Sequence, residues 1–287
     1  MIPPSFDYHA PKSVSEAVSL LSSLGSEAKV LAGGHSLLPM MKLRFALPEH
    51  LVDLNKIPEL RGVREEGGEV VIGAMTTENA VIADPILNAK VPLLPLAARL
   101  IADPQVRNRG TIGGDLAHGD PANDHPALSL TLDATMVIEG PGGRRSVPAS
   151  EFYLGTYWTA LEETDILVEI RMAPMPAGAG YAYEKLKRKT GDWATAAAAV
   201  VIKLDGGVVS HVRIGLTNLG ATALRATDAE AILQGNAVTD ELIKQAADAA
   251  MAICDPAEDL RGDAEYKTVM AGQMVQRAIR AALARAA

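Results

Sequence analysis

KVLAGGHSLLPMMKLR, residues 29–44, decides how this chain is read. A short apolar strand over Lys29–Ala32 runs into Gly33-Gly34, and His35 and Ser36 stand just before an apolar segment able to begin a helix. Paired glycines let the backbone approach a ligand closely, because no Cβ stands in the way. Successive amides can then point at an anion, and the Ser36 hydroxyl adds a short donor. That chemistry suits a nucleotide pyrophosphate. A purely structural glycine turn suits the same residues, and this stretch alone leaves both readings open.

Residues 101–127, IADPQVRNRGTIGGDLAHGDPANDHPA, repeat the opportunity at Thr111, Ile112, Gly113, Gly114 and Asp115, a small hydroxyl beside close-approach glycines. Two such turns can grip the two phosphates of a dinucleotide from opposite sides. Neither has the GxGxxG spacing of the common dinucleotide fold, and the GxxxxGK phosphate loop is absent, so neither a usual nicotinamide site nor an ATPase is indicated. His118, Asp120, Asp124 and His125 crowd one short stretch, but their spacing is no zinc signature. Polar contacts to a cofactor or scaffolding by Asx turns fit them better, and proximity in sequence does not make an acid–base pair.

Working outward, SEAVSLLSSLG predicts an amphipathic helix from about Ser15 to Leu24, stopped at Gly25. A strand follows at Leu51–Leu54. These pieces form a small α/β domain over residues 1–55. A middle α+β domain, residues 56–177, is expected from strands at Glu69–Ala74, Ala134–Glu139 and Ile166–Arg171. It also holds a helix capped near Thr76–Asn79 and an apolar helical face over Val91–Ile101 interrupted by Pro95. MAPMPAGAG, residues 172–180, is the boundary. In the C-terminal domain, residues 178–287, strands at Tyr181–Lys187, Ala194–Leu204 and Val208–Thr217 form a three-stranded sheet, the last two joined as a hairpin at Gly206-Gly207. Helices are predicted at Ala226–Leu233, Glu241–Ile253 and Glu265–Ala284. The fold class is α+β, multidomain.

The chain has 287 residues, with 27 basic against 35 acidic side chains and a formal charge of -8, which argues against nucleic acid as a partner. No apolar run reaches membrane-spanning length, and MIPPSFDYHAPKS lacks the basic segment and apolar core of a secretion signal, so cytoplasmic residence is expected. The single cysteine, Cys254, allows neither an internal disulfide nor an iron–sulfur ligand set and reads as a buried structural thiol. Any iron–sulfur relay must belong to a partner. No nucleophile–base arrangement or metal set for a complete substrate reaction is present, so no catalytic or metal residue is assigned.

AGGHSLLPMMKLR at 32–44, ADPQVRNRGTIGG at 102–114, YEKLKRKTGDWATA at 183–196 and PAEDLRGDAEYKTVMAG at 256–272 share one resemblance. Together they resemble the FAD-binding medium subunits of the molybdenum hydroxylases, the xanthine dehydrogenase-like family with its PCMH-type flavoprotein fold. The likeness covers nearly the whole chain and is strongest to the aerobic carbon monoxide dehydrogenase branch.

The resemblance implies a non-covalent FAD between the N-terminal and middle domains. Ala32, Gly33, Gly34, His35 and Ser36 then form one pyrophosphate-binding segment, and Thr111, Ile112, Gly113, Gly114 and Asp115 the other, with Asp124 near the sugar-alcohol chain. Asp115 departs from the Asn or Ser often found there. Its carboxylate would repel a pyrophosphate, so its amide or a contact to a ribose hydroxyl is expected instead. His118 replaces a smaller polar residue.

Tyr183, Lys185 and Lys187 alternate on one strand face, followed by Arg188 and Lys189. By itself this basic run is a solvated strand end or partner surface; beside a reduced flavin, Lys185 would offset developing negative charge. Trp193 reads as a core anchor or interface residue, and the resemblance sets it beside the isoalloxazine ring.

The resemblance also implies a large subunit with a molybdenum–copper centre and a small subunit with two [2Fe-2S] clusters. Electrons then pass through FAD to a quinone or other respiratory acceptor. The assembly is a heterotrimer paired into a heterohexamer, lying in the cytoplasm or peripherally at the inner membrane face, with the C-terminal sheet and helices as candidate docking surfaces. Three alternatives stand beside it: the flavin subunit of an aldehyde or N-heterocycle hydroxylase, a self-contained flavin oxidoreductase, and a non-catalytic nucleotide-binding assembly protein.

Overall fold

The structure, a computed structural model, describes residues 2–286. It begins with β1 (Asp7–His9), α1 (Val14–Leu24), β2 (Ala28–Leu31), α2 (Leu37–Lys42) and β3 (His50–Asp53). The strands form a parallel sheet of order β1-β3-β2, with a helix in each crossover, as parallel pairing requires. The Ser13 hydroxyl accepts from the Glu16 amide to start α1. Val14, Ala17, Val18 and Leu21 fall on its buried face. The loop at 32–36 therefore leaves the carboxyl end of a parallel strand, where ligands of such sheets bind.

The middle region contains β4 (Val63–Glu66), β5 (Glu69–Gly73), α3 (Glu78–Ala83), α4 (Pro85–Lys90), α5 (Leu93–Ala98), α6 (Pro104–Arg107), α7 (Ile112–His118) and α8 (Asp124–Thr131). It continues with β6 (Thr135–Gly140), β7 (Gly143–Pro148), α9 (Ala149–Phe152), a hairpin of β8 (Tyr153–Gly155) and β9 (Trp158–Thr159), and β10 (Ile166–Met172). An antiparallel sheet runs β4-β5-β10-β6-β7. Its flanking strands β4 and β7 have charged, exposed residues and carry little apolar pattern, so they escape the sequence reading. The helix expected over Val91–Ile101 shrinks to α5: Pro92 precedes it, and Pro95 sits in its first turn, where a missing N–H costs nothing. The two sheet faces bury different partners. Val137, Ile166 and Val168 pack against Val14, Ala17, Leu21 and Val52 of the N-terminal region, whereas Val70, Ile72, Met136 and Ile138 share a core with Leu93, Leu94, Ile112, Leu116 and Leu128.

The C-terminal region comprises β11 (Gly180–Leu186), β12 (Ala196–Asp205), β13 (Val208–Thr217), β14 (Leu224–Arg225), α10 (Thr227–Leu233), α11 (Asp240–Ala252) and α12 (Ala264–Leu283). The sheet is antiparallel, in the order β11-β12-β13-β14. It has a fourth strand beyond the three expected, because the two residues of β14 are too few to show a period. Strand β12 is buried on both sides: Ala197, Ala199 and Val201 enter the core of the middle region, while Ala196, Ala198, Val200 and Ile202 meet the C-terminal helices. Small side chains there let elements on both faces approach the sheet.

Gly215 of β13 marks how close that approach is. A Cβ there would lie 2.5 Å from the Ala127 carbonyl oxygen of α8 and overlap the Thr131 hydroxyl. Gly215→Ala is expected to destabilise the chain by about 1–3 kcal/mol through overpacking. Gly142→Ala, with nothing within 4 Å of the added carbon, is expected to stay within about 0.5 kcal/mol of the parent. Urea unfolding of both variants checks the contrast.

Candidate functional site

After β2 the chain turns at Gly34, with φ of 82°, and enters α2 through Ser36, whose side chain makes no cap bond. The backbone N–H groups of Gly33, Gly34, His35, Ser36 and Leu37 find no acceptor among the described residues. His35 is exposed and Ser36 half-buried. The loop is braced from behind: Asn55 Nδ2 donates to the Ala32 carbonyl at 2.9 Å and to Asp53 Oδ1 at 2.6 Å, and the Tyr8 hydroxyl donates to Asp53 Oδ2 at 2.5 Å. Five successive free donors on a braced turn are chemically suited to an anion.

The second glycine segment differs. The Ile112 amide donates to the Thr76 carbonyl at 3.0 Å, Gly113 to Ala74 at 2.9 Å and Asp115 to Thr111 at 3.0 Å, and the Gly114 amide donates to Thr111 Oγ1 at 3.2 Å. All four amides are spent inside the protein, which corrects the expectation that both turns, and Asp115 in particular, offer theirs to a ligand. The cause is α7, which Thr111 caps and a bridge from Thr77 to Thr111 pins in place. Its glycines serve close approach instead. A Cβ on Gly113 would lie 2.5 Å from Ala74 Cβ, and one on Gly114 3.3 Å from Ala32 Cβ. A Cβ on Gly33 would lie 2.5 Å from the Arg109 carbonyl oxygen and 2.8 Å from Gly110 Cα. The two segments are thus pressed together.

Beside them, Asp124 opens α8 and is buried. Its Oδ2 accepts from Lys185 Nζ at 2.6 Å, and Oδ1 accepts from the Tyr183 hydroxyl, which also lies 3.2 Å from Thr217 Oγ1. The Lys185 side chain is only 1% exposed, so its charge is spent on Asp124 and is not free to offset a reduced flavin. Among the described residues Lys187 has no carboxylate partner, and it donates to the Leu100 carbonyl at 3.0 Å. Burial, then repulsion by Lys185, holds it below the ordinary lysine value, with Arg107 adding to the effect. Arg107 likewise holds the Ile101 carbonyl at 2.7 Å. The alternation of Lys185 and Lys187 is visible in sequence. Which of them meets an acid depends on where α8 lies.

Trp193 is 49% exposed. Its Nε1 donates to Asn123 Oδ1 at 3.3 Å, and Asn123 Nδ2 donates to the Asp115 carbonyl at 3.1 Å, which joins Trp193 to the second glycine segment. The Arg261 guanidinium lies 5.5 Å from the indole centroid and bonds Asp192 Oδ1 at 2.9 Å, while Arg188 bonds Asp192 Oδ2 at 2.9 Å. Against burial, which would raise it, these two arginines hold the Asp192 carboxyl down to about 2. The four segments quoted from the sequence therefore meet in one place. Asn123, Asp192 and Arg261 lie inside the quoted stretches, but only their tertiary contacts show that they brace the site.

The His–Asp stretch disperses. His125, 1% exposed, bonds Glu78 Oε2 at 2.9 Å, and although burial would lower it, Glu78 raises the ring to about 9. Asp120 accepts from the Ala122 amide at 2.9 Å. His118 packs its ring 5.0 Å from Tyr157, and burial lowers it. Among the described residues no group of three or more His, Cys, Asp or Glu side chains converges as a metal set.

The FAD binding domain of molybdopterin dehydrogenases matches residues 4–175, and the carbon monoxide dehydrogenase flavoprotein C-terminal domain matches residues 181–282. The carbon monoxide dehydrogenase medium chain of Hydrogenophaga pseudoflava is 68% identical over 287 residues, covering 100% of both chains. The solved carbon monoxide dehydrogenase from that organism, which lacks the Mo-pyranopterin moiety of the molybdenum cofactor, superposes with a TM-score of 0.99 at 70% identity over 100% of both chains. Quinoline 2-oxidoreductase from Pseudomonas putida 86 superposes with a TM-score of 0.94 at 35% identity over 99% of each.

Removing the Lys185 ammonium leaves Asp124 buried without its cation, so Lys185→Met is expected to cost about 3–5 kcal/mol. Adding Asp124→Asn should restore more than half of that loss. The double-mutant cycle in urea measures both.

Proposed function

The chain belongs to the FAD-binding flavoprotein family of the molybdenum hydroxylases, and from that premise we propose that it is the FAD-carrying medium subunit of an aerobic carbon monoxide dehydrogenase. The observation that carries this reading is the run of free amides at Gly33–Leu37 set directly against the Thr111–Asp115 turn. For the substrate, support comes from 68% full-length identity to a carbon monoxide dehydrogenase medium chain against 35% to quinoline 2-oxidoreductase.

The residues fit FAD. The amides of 33–37 and the Ser36 hydroxyl hold the pyrophosphate, while Gly113 and Gly114 let the second segment pack directly against Ala74 and Ala32. Arg107 and Lys187 supply unpaired positive charge in a chain whose net charge is -8. Asp124 accepts from Tyr183 and Lys185, and a carboxylate with about four lone-pair sites retains room for a hydroxyl of the sugar-alcohol chain. Trp193 flanks the ring and limits water. Bound FAD supplies one- and two-electron redox chemistry.

The chain takes electrons from a small subunit carrying two [2Fe-2S] clusters, downstream of a large subunit with a molybdenum–copper centre. It passes them to a quinone or other respiratory acceptor. Its own thiol does not serve as a relay: Cys254 is half-buried, donates to the Ala250 carbonyl at 3.2 Å, and is pushed by burial up to about 11. No helix among the described residues is long and apolar enough to cross a membrane. On this reading the subunit works in a dimer of heterotrimers in the cytoplasm or at the inner membrane face.

Anaerobic absorbance of the native complex tests the assignment. Carbon monoxide should bleach both flavin and iron–sulfur bands; bleaching only by an aldehyde or N-heterocycle would keep the family and overturn the substrate. Gly34→Ala, strained at positive φ and 2.9 Å from Leu38 Cδ1, is expected to weaken FAD retention at least tenfold, about 1.4 kcal/mol. Trp193→Ala should change flavin fluorescence while leaving the thermal midpoint of the complex nearly unmoved.

A further inference from the structure

Asp115 is the anomaly of the glycine junction, since a carboxylate beside a pyrophosphate is repulsive. Its amide is spent on Thr111, and its carbonyl accepts from Asn123, so only the carboxyl is left to act. Oδ1 is buried with no hydrogen-bond partner among the described residues, while part of the residue's surface stays open. The groups facing it come from every neighbouring element: Glu78 of α3, Asp120 of the following loop, Asp124 and His125 of α8, Tyr153 of β8 and Tyr183 of β11. The nearby cations are committed elsewhere, His125 to Glu78 and Lys185 to Asp124. Asp115 is thus a desolvated carboxyl among three other acids with no cation of its own.

We propose, on the FAD-binding reading, that Asp115 keeps its proton at neutral pH and donates its O–H to the FAD, so that the second glycine segment binds the cofactor through a neutral carboxylic acid. Asp115 then acts as a hydrogen-bond donor that is lost on ionisation. Burial raises this carboxyl most; His125 opposes the rise and Glu78, Asp124 and Asp120 add to it, which leaves the group at about 8. The sign follows from proton counting. The unfolded chain releases this proton above about 4, while the folded chain holds it to about 8, so the group's contribution to stability falls across that window. FAD affinity, constant below the window's upper edge, falls as pH rises through it.

The test measures FAD dissociation from the native complex between pH 6 and 10, comparing the parent with the isosteric Asp115→Asn. The parent is expected to weaken about tenfold by pH 9, one unit above the transition, while the affinity of Asp115→Asn, measured against its own value at pH 7, stays flat through pH 9. A parent curve with no transition, or a parallel loss in both proteins, overturns the proposal. So does an Asp115→Asn complex that assembles without FAD at pH 7. Infrared difference spectra at pH 7 give a reading independent of affinity: a protonated-carboxyl band present in the parent and absent from Asp115→Asn supports the proposal, and its absence from the parent refutes it. A parent complex devoid of FAD at every pH would overturn the FAD reading itself.

Discussion

Two backbones touch where Gly33 meets Arg109 and Gly110 and where Gly114 meets Ala32, and neither contact leaves space for a side chain. This approach joins the parallel N-terminal sheet to the antiparallel middle sheet, and the site inherits its asymmetry from it. The first loop leaves a strand and begins a helix only at Leu37, so its amides have nowhere internal to donate. The second is a capped helix start stitched to the β5–α3 connection, so its amides are already satisfied. One side offers donors, and the other offers a close-packed support for them.

The junction is stiffened by two buried acid–base couples, Asp124 with Lys185 and Glu78 with His125, and by a third in which the buried Asp192 holds the part-exposed Arg261 and the exposed Arg188. Buried pairs of this kind add little net stability, because desolvation offsets attraction. Their effect is on geometry, since each breaks expensively if one partner shifts. Asp124–Lys185 ties α8 to β11, Glu78–His125 ties α3 to α8, and Asp192–Arg261 ties the Trp193 loop to the turn before α12. Together they hold the three glycine- and base-rich segments in one relation to each other.

Much of this was legible in the sequence where structure is local. The α1 helix starts one residue before its expected position, β5 and β10 lie within a residue of theirs, and the two glycine pairs stand out by composition alone. Strands β4, β7 and β14 were not legible, because edge strands of charged residues and a two-residue strand carry no apolar period. The role of Lys185 was misjudged for a different reason. Its neutralisation by Asp124, 61 positions away, is a property of how α8 packs on β11. Asp115 is a related case: its sequence reads as a misplaced charge, and only the packing shows its carboxyl raised, first by burial and then by the acids around it.

The resemblance in residues 256–272 has no phosphate-binding feature of its own, and the structure supplies its reason. Asp259 accepts from the Arg261 amide at 2.7 Å and pairs with the buried Lys267 at 3.1 Å, which fixes the turn that carries Arg261. Arg261 then reaches 69 positions back to Asp192 and spreads over the Trp193 ring. Trp193 in turn bonds Asn123, and Asn123 the carbonyl of Asp115. A continuous line of contacts therefore runs from the last helix to the second glycine segment. The C-terminal sheet and helices are part of the site's geometry, and a turn with no cofactor chemistry is constrained as tightly as the glycines it supports.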